Sequence, residues 1–375
     1  MFVTNIKRLL AATTGFALLF FAGGAAADYA LNLRRGITPI SNEIYDLHML
    51  ILWVCVVIAV LVFTVMFISI FKHRKSKGAV PAQFHESTAV EIVWTVVPFL
   101  ILVGMAIPAT KTLVMMEDTS NSDLSIKVTG YQWKWGYDYL DEGVSFISTL
   151  STPREQIENT QEKGLNYLLE VDNPVVVPVN KKIRLLITAN DVIHAWWVPD
   201  FGMKKDAIPG FVNEMWFKAE KEGTYRGQCA ELCGKDHGYM PIVVIVKNEA
   251  DYQQWVAEQK SQMDAASAGA DRDWAMAELM ERGEKVYAGS CLACHQATGM
   301  GVPGAFPALK GSAIATGPKD AHIDIVMHGK PGTAMGAFAS QLNDVDLAAL
   351  ITYERNAWGN NTGDLVQPSE IKAAR

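Results

Sequence analysis

Two stretches of the chain carry almost no polar side chain, one from about residue 47 to 71 and one from about 92 to 115. Each reaches the roughly 20 residues that a helix needs to cross the hydrocarbon of a bilayer. A dense basic cluster, Lys72-His73-Arg74-Lys75-Ser76-Lys77, opens the segment between them, while Glu43 and Asp46 precede the first run and Glu117 and Asp118 follow the second. The positive-inside bias therefore puts the connecting loop in the cytoplasm and both flanks outside, with Arg34 and Arg35 a weaker counterweight. A shorter apolar run, Leu9 to Ala22, follows Lys7 and Arg8 and leads to Ala25-Ala26-Ala27. Basic, apolar, then small is the order of an export signal, here cleaved after Ala27 to leave Asp28 first; an uncleaved anchor fits less well because the run is short.

Past Asp118 the pattern shortens. Residues 125–130, 167–171, 175–179, 183–188, 212–219 and 242–247 are runs rich in β-branched and aromatic side chains, divided by Gly, Pro, Asn and charged turns. They predict a sandwich or barrel of antiparallel strands. Residues 251–263 read as a helix, and the small, polar 264–271 as a linker. From Trp274 the pattern is helical again, around a Gly- and Pro-rich middle at 299–317. The chain thus divides into an N-terminal segment and hairpin (28–117), an all-β domain (118–250), a helix and linker (251–272), a small all-α domain (273–360) and a tail (361–375). Half of the 375 residues are hydrophobic, as expected where membrane spans are joined to globular parts. The net charge of −7 gives nucleic acid no basic face to bind and suits a basic protein partner only weakly.

Of five cysteines, Cys55 lies in an apolar run and reads as a buried hydrophobe. The other four are paired, Cys229 with Cys233 and Cys291 with Cys294. In an exported domain a disulfide is the default for each pair. The first pair, however, belongs to Cys229-x3-Cys233-x3-His237-x2-Met240, between predicted strands at 223–227 and 241–247, with a remote His194 in Val192-Ile-His-Ala-Trp-Trp-Val-Pro199. Thiolate, thioether and imidazole together suit copper. One cysteine with two histidines would make a mononuclear site; two thiolates can each bridge two ions, leaving one histidine per copper, with Met240 and a backbone carbonyl as weak outer ligands. A Cys229–Cys233 disulfide, a Cys2His2 zinc site and a merely buried Met240 remain open on the residues alone.

The copper-loop string resembles the CuA signature of cytochrome c oxidase subunit II, and so do 192–199, Lys204-Lys-Asp-Ala-Ile-Pro-Gly210, the aromatic run 131–139 and Glu91-Ile-Val-Trp-Thr-Val-Val-Pro98. The likeness runs from the first span to about Lys247. It implies a cupredoxin-like Greek-key sandwich in which His194 and His237 each ligate one copper, Cys229 and Cys233 bridge, Met240 is a weak ligand to one ion and the Glu231 carbonyl to the other. It also implies that the Glu231 carboxylate reaches a magnesium ion at the border with subunit I. Trp133 resembles the surface tryptophan where electrons enter, although a core aromatic is a rival reading. Glu91 resembles the acidic residue at the mouth of a proton channel in subunit I. A local reason for it also exists: Thr88-Ala-Val-Glu91 reads as a capping box.

Cys291-Leu-Ala-Cys-His295 is the attachment motif of c-type haem, with His295 placed to ligate iron. A methionine is expected as sixth ligand of a high-potential relay. Met327 has helical spacing among apolar neighbours and reads as core, Met300 follows His295 too closely, and Met335 lies in a loop well downstream. Residues 274 to about 358 resemble a class I cytochrome c, and Phe306-Pro-Ala-Leu-Lys-Gly311 its proline segment, so Pro307 is implied as the carbonyl that orients the haem histidine; otherwise it is a turn residue.

Together these readings imply an electron-entry subunit of a haem-copper oxidase in a bacterial inner membrane, with its copper and haem domains on the periplasmic side. Its expected partners are subunits I and III, a cytochrome c or bc1-type donor, and lipid, but no nucleic acid. Oxygen reduction and proton pumping would belong to subunit I, because this chain lacks the intramembrane histidines to hold haem and copper. A CuA-type nitric oxide reductase is the alternative. A quinol oxidase subunit lacks these copper ligands, and nitrous oxide reductase lacks the membrane hairpin.

Overall fold

A helix that is apolar on every side has no face to turn to water, and two such helices begin the fold. Helix α1 spans Pro39–Lys72 and α2 spans Thr88–Glu117. Large apolar side chains such as Trp53, Phe63, Phe71, Trp94 and Phe99 point outward from both. The computed structural model describes residues 32–80, 83, 85–330, 333 and 335–375, so the export signal read from residues 1–27 lies outside the described residues. Cys55 is exposed on α1 rather than buried, since the apolar surroundings of a span are lipid and not protein. The capping box expected at Thr88 does not form. Ser87 is the N-cap and makes no side-chain cap bond, Thr88 is already helical, and the Glu91 N–H donates to the Ser87 carbonyl at 3.0 Å.

Both helices are fastened to the domain that follows. Thr38 caps α1: its Oγ1 accepts from the Ser41 N–H at 3.0 Å and donates to the Phe201 carbonyl at 2.8 Å. Ile37 N–H bonds the Asp200 carbonyl at 3.0 Å. At the far end of α2, Trp216 Nε1 donates to the Met115 carbonyl at 3.0 Å and Lys205 pairs with Glu117.

Among the described residues ten strands form two five-stranded sheets. Strands β1 (Leu124–Tyr131), β2 (Lys134–Tyr139), β3 (Val144–Ser148), β5 (Ile183–Ala189) and β8 (Asn213–Phe217) make the first, in the order β3-β2-β1-β5-β8. The second has the order β4-β10-β9-β6-β7, from β4 (Val175–Pro178), β6 (His194–Val198), β7 (Met203–Ala207), β9 (Gly223–Cys229) and β10 (Pro241–Lys247). The sheets are not purely antiparallel. β1 runs parallel to β5 and β4 parallel to β10, because the chain between each pair crosses to the other sheet before returning. Alternate side chains of the two sheets meet in the core, where Phe201 stacks on Phe217 at 4.4 Å and Trp196 Nε1 donates to Tyr137 Oη at 3.2 Å. Fully burying a phenylalanine of this kind contributes about 2–3 kcal/mol.

The strand expected at 167–171 is absent. Tyr167 and Leu169 spend their N–H groups on the carbonyls of Gly164 and Asn166 in tight turns, and only Val171 bridges, to Leu150. Helix α3 (Glu249–Ser267) runs on through the alanines at 265 and 266 that were read as linker, alanine being the best helix former. The C-terminal domain comprises α4 (Met276–Ser290), the single turn α5 (Leu292–His295), α6 (Lys319–His328), α7 (Asp344–Asn356) and α8 (Pro368–Ala374). Its core joins Tyr287, Met327 and the apolar face of α7, so Met327 is a packing residue.

Candidate functional site

The β9–β10 connection carries the thiols. Cys229 closes β9 and Met240 immediately precedes β10, and the Cys229 N–H donates to the Met240 carbonyl at 3.2 Å, pinching the loop at its base. β6 lies beside β9 with Trp196 opposite Cys229, which brings His194, at the start of β6, against the loop. Gly130 on β1 leaves room for that ring: a Cβ there would stand 2.7 Å from His194 Cδ2.

The donors converge. Cys229 Sγ lies 3.8 Å from Cys233 Sγ and 3.9 Å from His194 Nδ1. Cys233 Sγ lies 3.5 Å from both His237 Nδ1 and Met240 Sδ, and the Glu231 carbonyl is 3.4 Å from Cys229 Sγ. Both cysteines are free, and their separation is far beyond the roughly 2.05 Å of a disulfide. All but His237 and Glu231 are buried. Two thiols, two imidazoles, a thioether and a carbonyl around one small volume are too many soft donors for a single tetrahedral zinc and suit two copper ions sharing the sulfurs.

The two thiols are hydrogen-bonded to each other. Hydrogen bonding with Cys233, then with His194 and the backbone, holds Cys229 far below an ordinary thiol despite its burial. Cys233 is correspondingly raised, by that same bond and then by burial. Metal ligation needs both as thiolates, so binding releases protons. Burial pulls the His194 imidazolium down, but its hydrogen bonds to Asp191 and Cys229 outweigh that and its pKa is raised.

Asp191 is the residue that motif reading passed over. Its Oδ1 accepts from His194 Nε2 at 2.9 Å and from the Val192 N–H at 2.7 Å, and its Oδ2 accepts from the Gln132 N–H at 2.8 Å. That fixes the histidine so that Nδ1 faces the thiols. A carboxylate three residues before a predicted ligand was the available signal. Trp133 is half-buried, and its Nε1 donates to the Cys233 carbonyl at 3.1 Å, beside Gln132 Nε2 at 2.8 Å. Glu231 is exposed in the loop.

In the helical domain α5, with Cys291 as its N-cap, brings Cys291, Cys294 and His295 together within one turn. Both cysteines are free thiols held up by burial, and His295 is buried. The Pro307 carbonyl lies 2.9 Å from His295 Nδ1. Gly301 makes that approach possible. Its φ is +62°, and a Cβ there would lie 2.3 Å and 2.5 Å from the Phe306 and Pro307 carbonyl oxygens. Nδ1 is thereby occupied and Nε2 is left to a metal. Met335 is half-buried in the loop after α6, its carbonyl accepting from the Lys330 N–H at 2.9 Å; Met300 is exposed.

A bilayer hairpin carrying a cupredoxin-like sandwich with a two-thiol metal loop, extended by a haem-attachment domain, defines a class of membrane-anchored redox subunits. The family model for the periplasmic domain of cytochrome c oxidase subunit II matches residues 124–247, that for its transmembrane domain matches 26–112, and that for the cbb3-type cytochrome c oxidase subunit III matches 278–353. A probable cytochrome c oxidase subunit 2 of Rickettsia bellii (strain RML369-C) is 40% identical over 260 residues, 68% of this chain and 93% of the relative. The cytochrome c oxidase subunit 2 of Cereibacter sphaeroides is 36% identical over 275 residues, 67% and 91% of the two chains. The crystal structure of the periplasmic domain of subunit II (CoxB) of Bradyrhizobium japonicum is 47% identical and covers 38% of this chain and 98% of that one, with a TM-score of 0.35. The chain belongs to the cytochrome c oxidase subunit II family and is a component of a haem-copper oxidase.

Proposed function

We propose that this chain is the electron-entry subunit of its oxidase, taking electrons from a donor at a C-terminal haem c and passing them by way of a two-copper centre to subunit I, where oxygen is reduced to water and protons are moved. The convergence of Cys229, Cys233, His194, His237 and Met240 without a disulfide carries this reading. His194 and His237 would each hold one copper and the two thiolates would bridge, with Met240 and the Glu231 carbonyl as weak ligands. Cys291 and Cys294 would hold the haem, with His295 and Met335 on its iron. Copper pair and haem supply reversible one-electron chemistry when bound.

The protein's own part is to keep that chemistry dry and stationary. Asp191 fixes the tautomer and tilt of His194, Gln132 and Trp133 fix the Cys233 carbonyl, and Pro307 fixes His295. Trp133, the only aromatic hydrogen-bonded to the copper loop among the contacts described above, is the electron-entry candidate. The Glu231 carboxylate supplies at most two of the six oxygens magnesium takes, so an ion there would need its other ligands from subunit I and water. With no capping box to account for it, Glu91 is available as the proton-channel acid. Export of both flanks of the hairpin places the two cofactor domains on the periplasmic side of a bacterial inner membrane. The apolar side chains of Ile193 and Leu232, exposed and next in sequence to His194 and Cys233, give subunit I a surface to cover.

The test is metal analysis and EPR of the full-length chain, purified in detergent after copper loading and haem maturation. Two coppers and one haem per chain, with one unpaired electron shared by both coppers, are expected. A single copper, zinc, or a Cys229–Cys233 disulfide would overturn the reading.

A further inference from the structure

The copper domain and the haem domain meet through two lysines of the copper domain. Lys235, in the metal loop between Cys233 and His237, donates from Nζ to the Ala293 carbonyl at 3.1 Å, and Ala293 lies between the two haem-attaching cysteines. The same Nζ stands 5.8 Å from the centre of the Trp133 ring and 5.7 Å from that of Phe306, which adjoins Pro307. Lys134, next to Trp133 at the start of β2, is only 7% exposed. Its Nζ lies 5.3 Å from the Phe338 ring of the loop that carries Met335, and 6.0 Å from Tyr131. Ser340 of that loop lies beside Tyr131, and a Cβ on Gly336 would stand 3.4 Å from Asn190 Nδ2, in ordinary contact.

Both segments that face the haem, the attachment turn and the Met335 loop, thus rest on the copper-domain surface around Trp133. An ammonium is costly to bury without compensation. Lys134 accepts that burial against aromatic faces, which attract cations most strongly when desolvated. Its ammonium is covered by the haem domain's own ring.

We propose that Lys134 and Lys235 are positioning residues that clamp the haem-attachment face over Trp133, so that the chain's own haem domain occupies the copper domain's electron-entry surface. An external donor then delivers to the haem domain, never directly to Trp133. This inference rests on the electron-entry reading above.

Flash photoreduction of the haem in the purified oxidase tests it, with haem-to-copper transfer followed by absorbance. In the wild type the haem is reoxidised as copper is reduced. In Lys134→Met/Lys235→Met, with haem and copper spectra retained, that step slows about tenfold, equivalent to about 1.4 kcal/mol of docking. Lys235→Arg, which keeps the cation and its donors, restores it, and reduction of copper by added soluble cytochrome c becomes faster in the double variant as Trp133 is uncovered. An unchanged transfer rate in the double variant sinks the clamp while leaving the electron-entry reading intact. No transfer in the wild type sinks the electron-entry reading itself. Should the double variant lose a cofactor, Lys235→Ala, at an exposed side chain, carries the same comparison, and wild-type transfer there overturns the clamp.

Discussion

Replacing Asp191 by alanine frees His194 Nε2 and leaves the imidazole to choose its own tautomer, although no ligand has been removed. Copper affinity should fall about 10- to 100-fold, the usual cost of losing such an orienting carboxylate, and competition against a chelator would measure it. An unchanged affinity would mean the ring is held by packing against Trp135 alone. Acid sensitivity has an equally local origin in Glu214. Hydrogen bonds from Arg184 at 2.7 and 3.0 Å, aided by Thr119, hold its carboxyl below the ordinary value of 4.5. A depressed folded pKa stabilises the fold above the unfolded pKa, and that contribution is lost as pH falls through the folded one. Glu214→Gln should therefore cost under about 1 kcal/mol near neutrality, the pair being partly solvated, and nothing in strong acid. Denaturant titrations of both proteins at the two pH values would decide it. The thiols and imidazoles were legible in the sequence because a metal loop spaces its ligands along the chain. Pro307 was legible through the resemblance of its segment, whereas Asp191 was not, because its contacts are made by folding, through Gln132 of the distant turn between β1 and β2.

Helix boundaries and strand pairing were read less well than the chemistry. The two spans were recognised since lipid imposes a length, yet α1 begins at Pro39, eight residues before the apolar run, because Thr38 and Ser41 cap it inside the sandwich. β7 was missed because Met203–Ala207 is mostly charged; it is an edge strand, and Lys204, Lys205 and Asp206 protect that edge from pairing with another chain. Conversely, residues 167–171 have strand composition but turn geometry. Two variants examine how elements hold the sites. Gly301→Ala meets two carbonyl oxygens and a positive φ, so it should destabilise the helical domain by about 1–3 kcal/mol and loosen the His295–Pro307 contact. A lowered unfolding midpoint with an altered haem spectrum is the expected pair of observations, and either one unchanged would count against the account. Thr38→Val removes the α1 cap and the bond to Phe201 at a cost of about 1–2 kcal/mol. It should lower the thermal midpoint of copper-site bleaching, which a defect confined to the membrane would not move.

From Gly36 onward the chain is a hairpin fastened at both ends to one sandwich, with the haem domain resting against the metal loop. The basic cluster at 72–77 predicts that the connecting loop faces the cytoplasm. A cysteine placed at Ser76 should react with an impermeant thiol reagent only from the cytoplasmic side, and one at Ser120 only from the other; labelling of both from one side would refute the hairpin. The mount also has a consequence in time. Thr38 caps the first span by bonding a carbonyl 163 residues further along the chain. At roughly 5–20 residues per second, the ribosome needs on the order of ten to thirty seconds to deliver that partner. The first span therefore enters the membrane with its cap unmade, and closing it is a late event of biogenesis that waits for β6 and the turn after it. A chain that stalls before Phe201 is left with an inserted but unfinished helix, and the membrane machinery meets that helix before any metal loop exists.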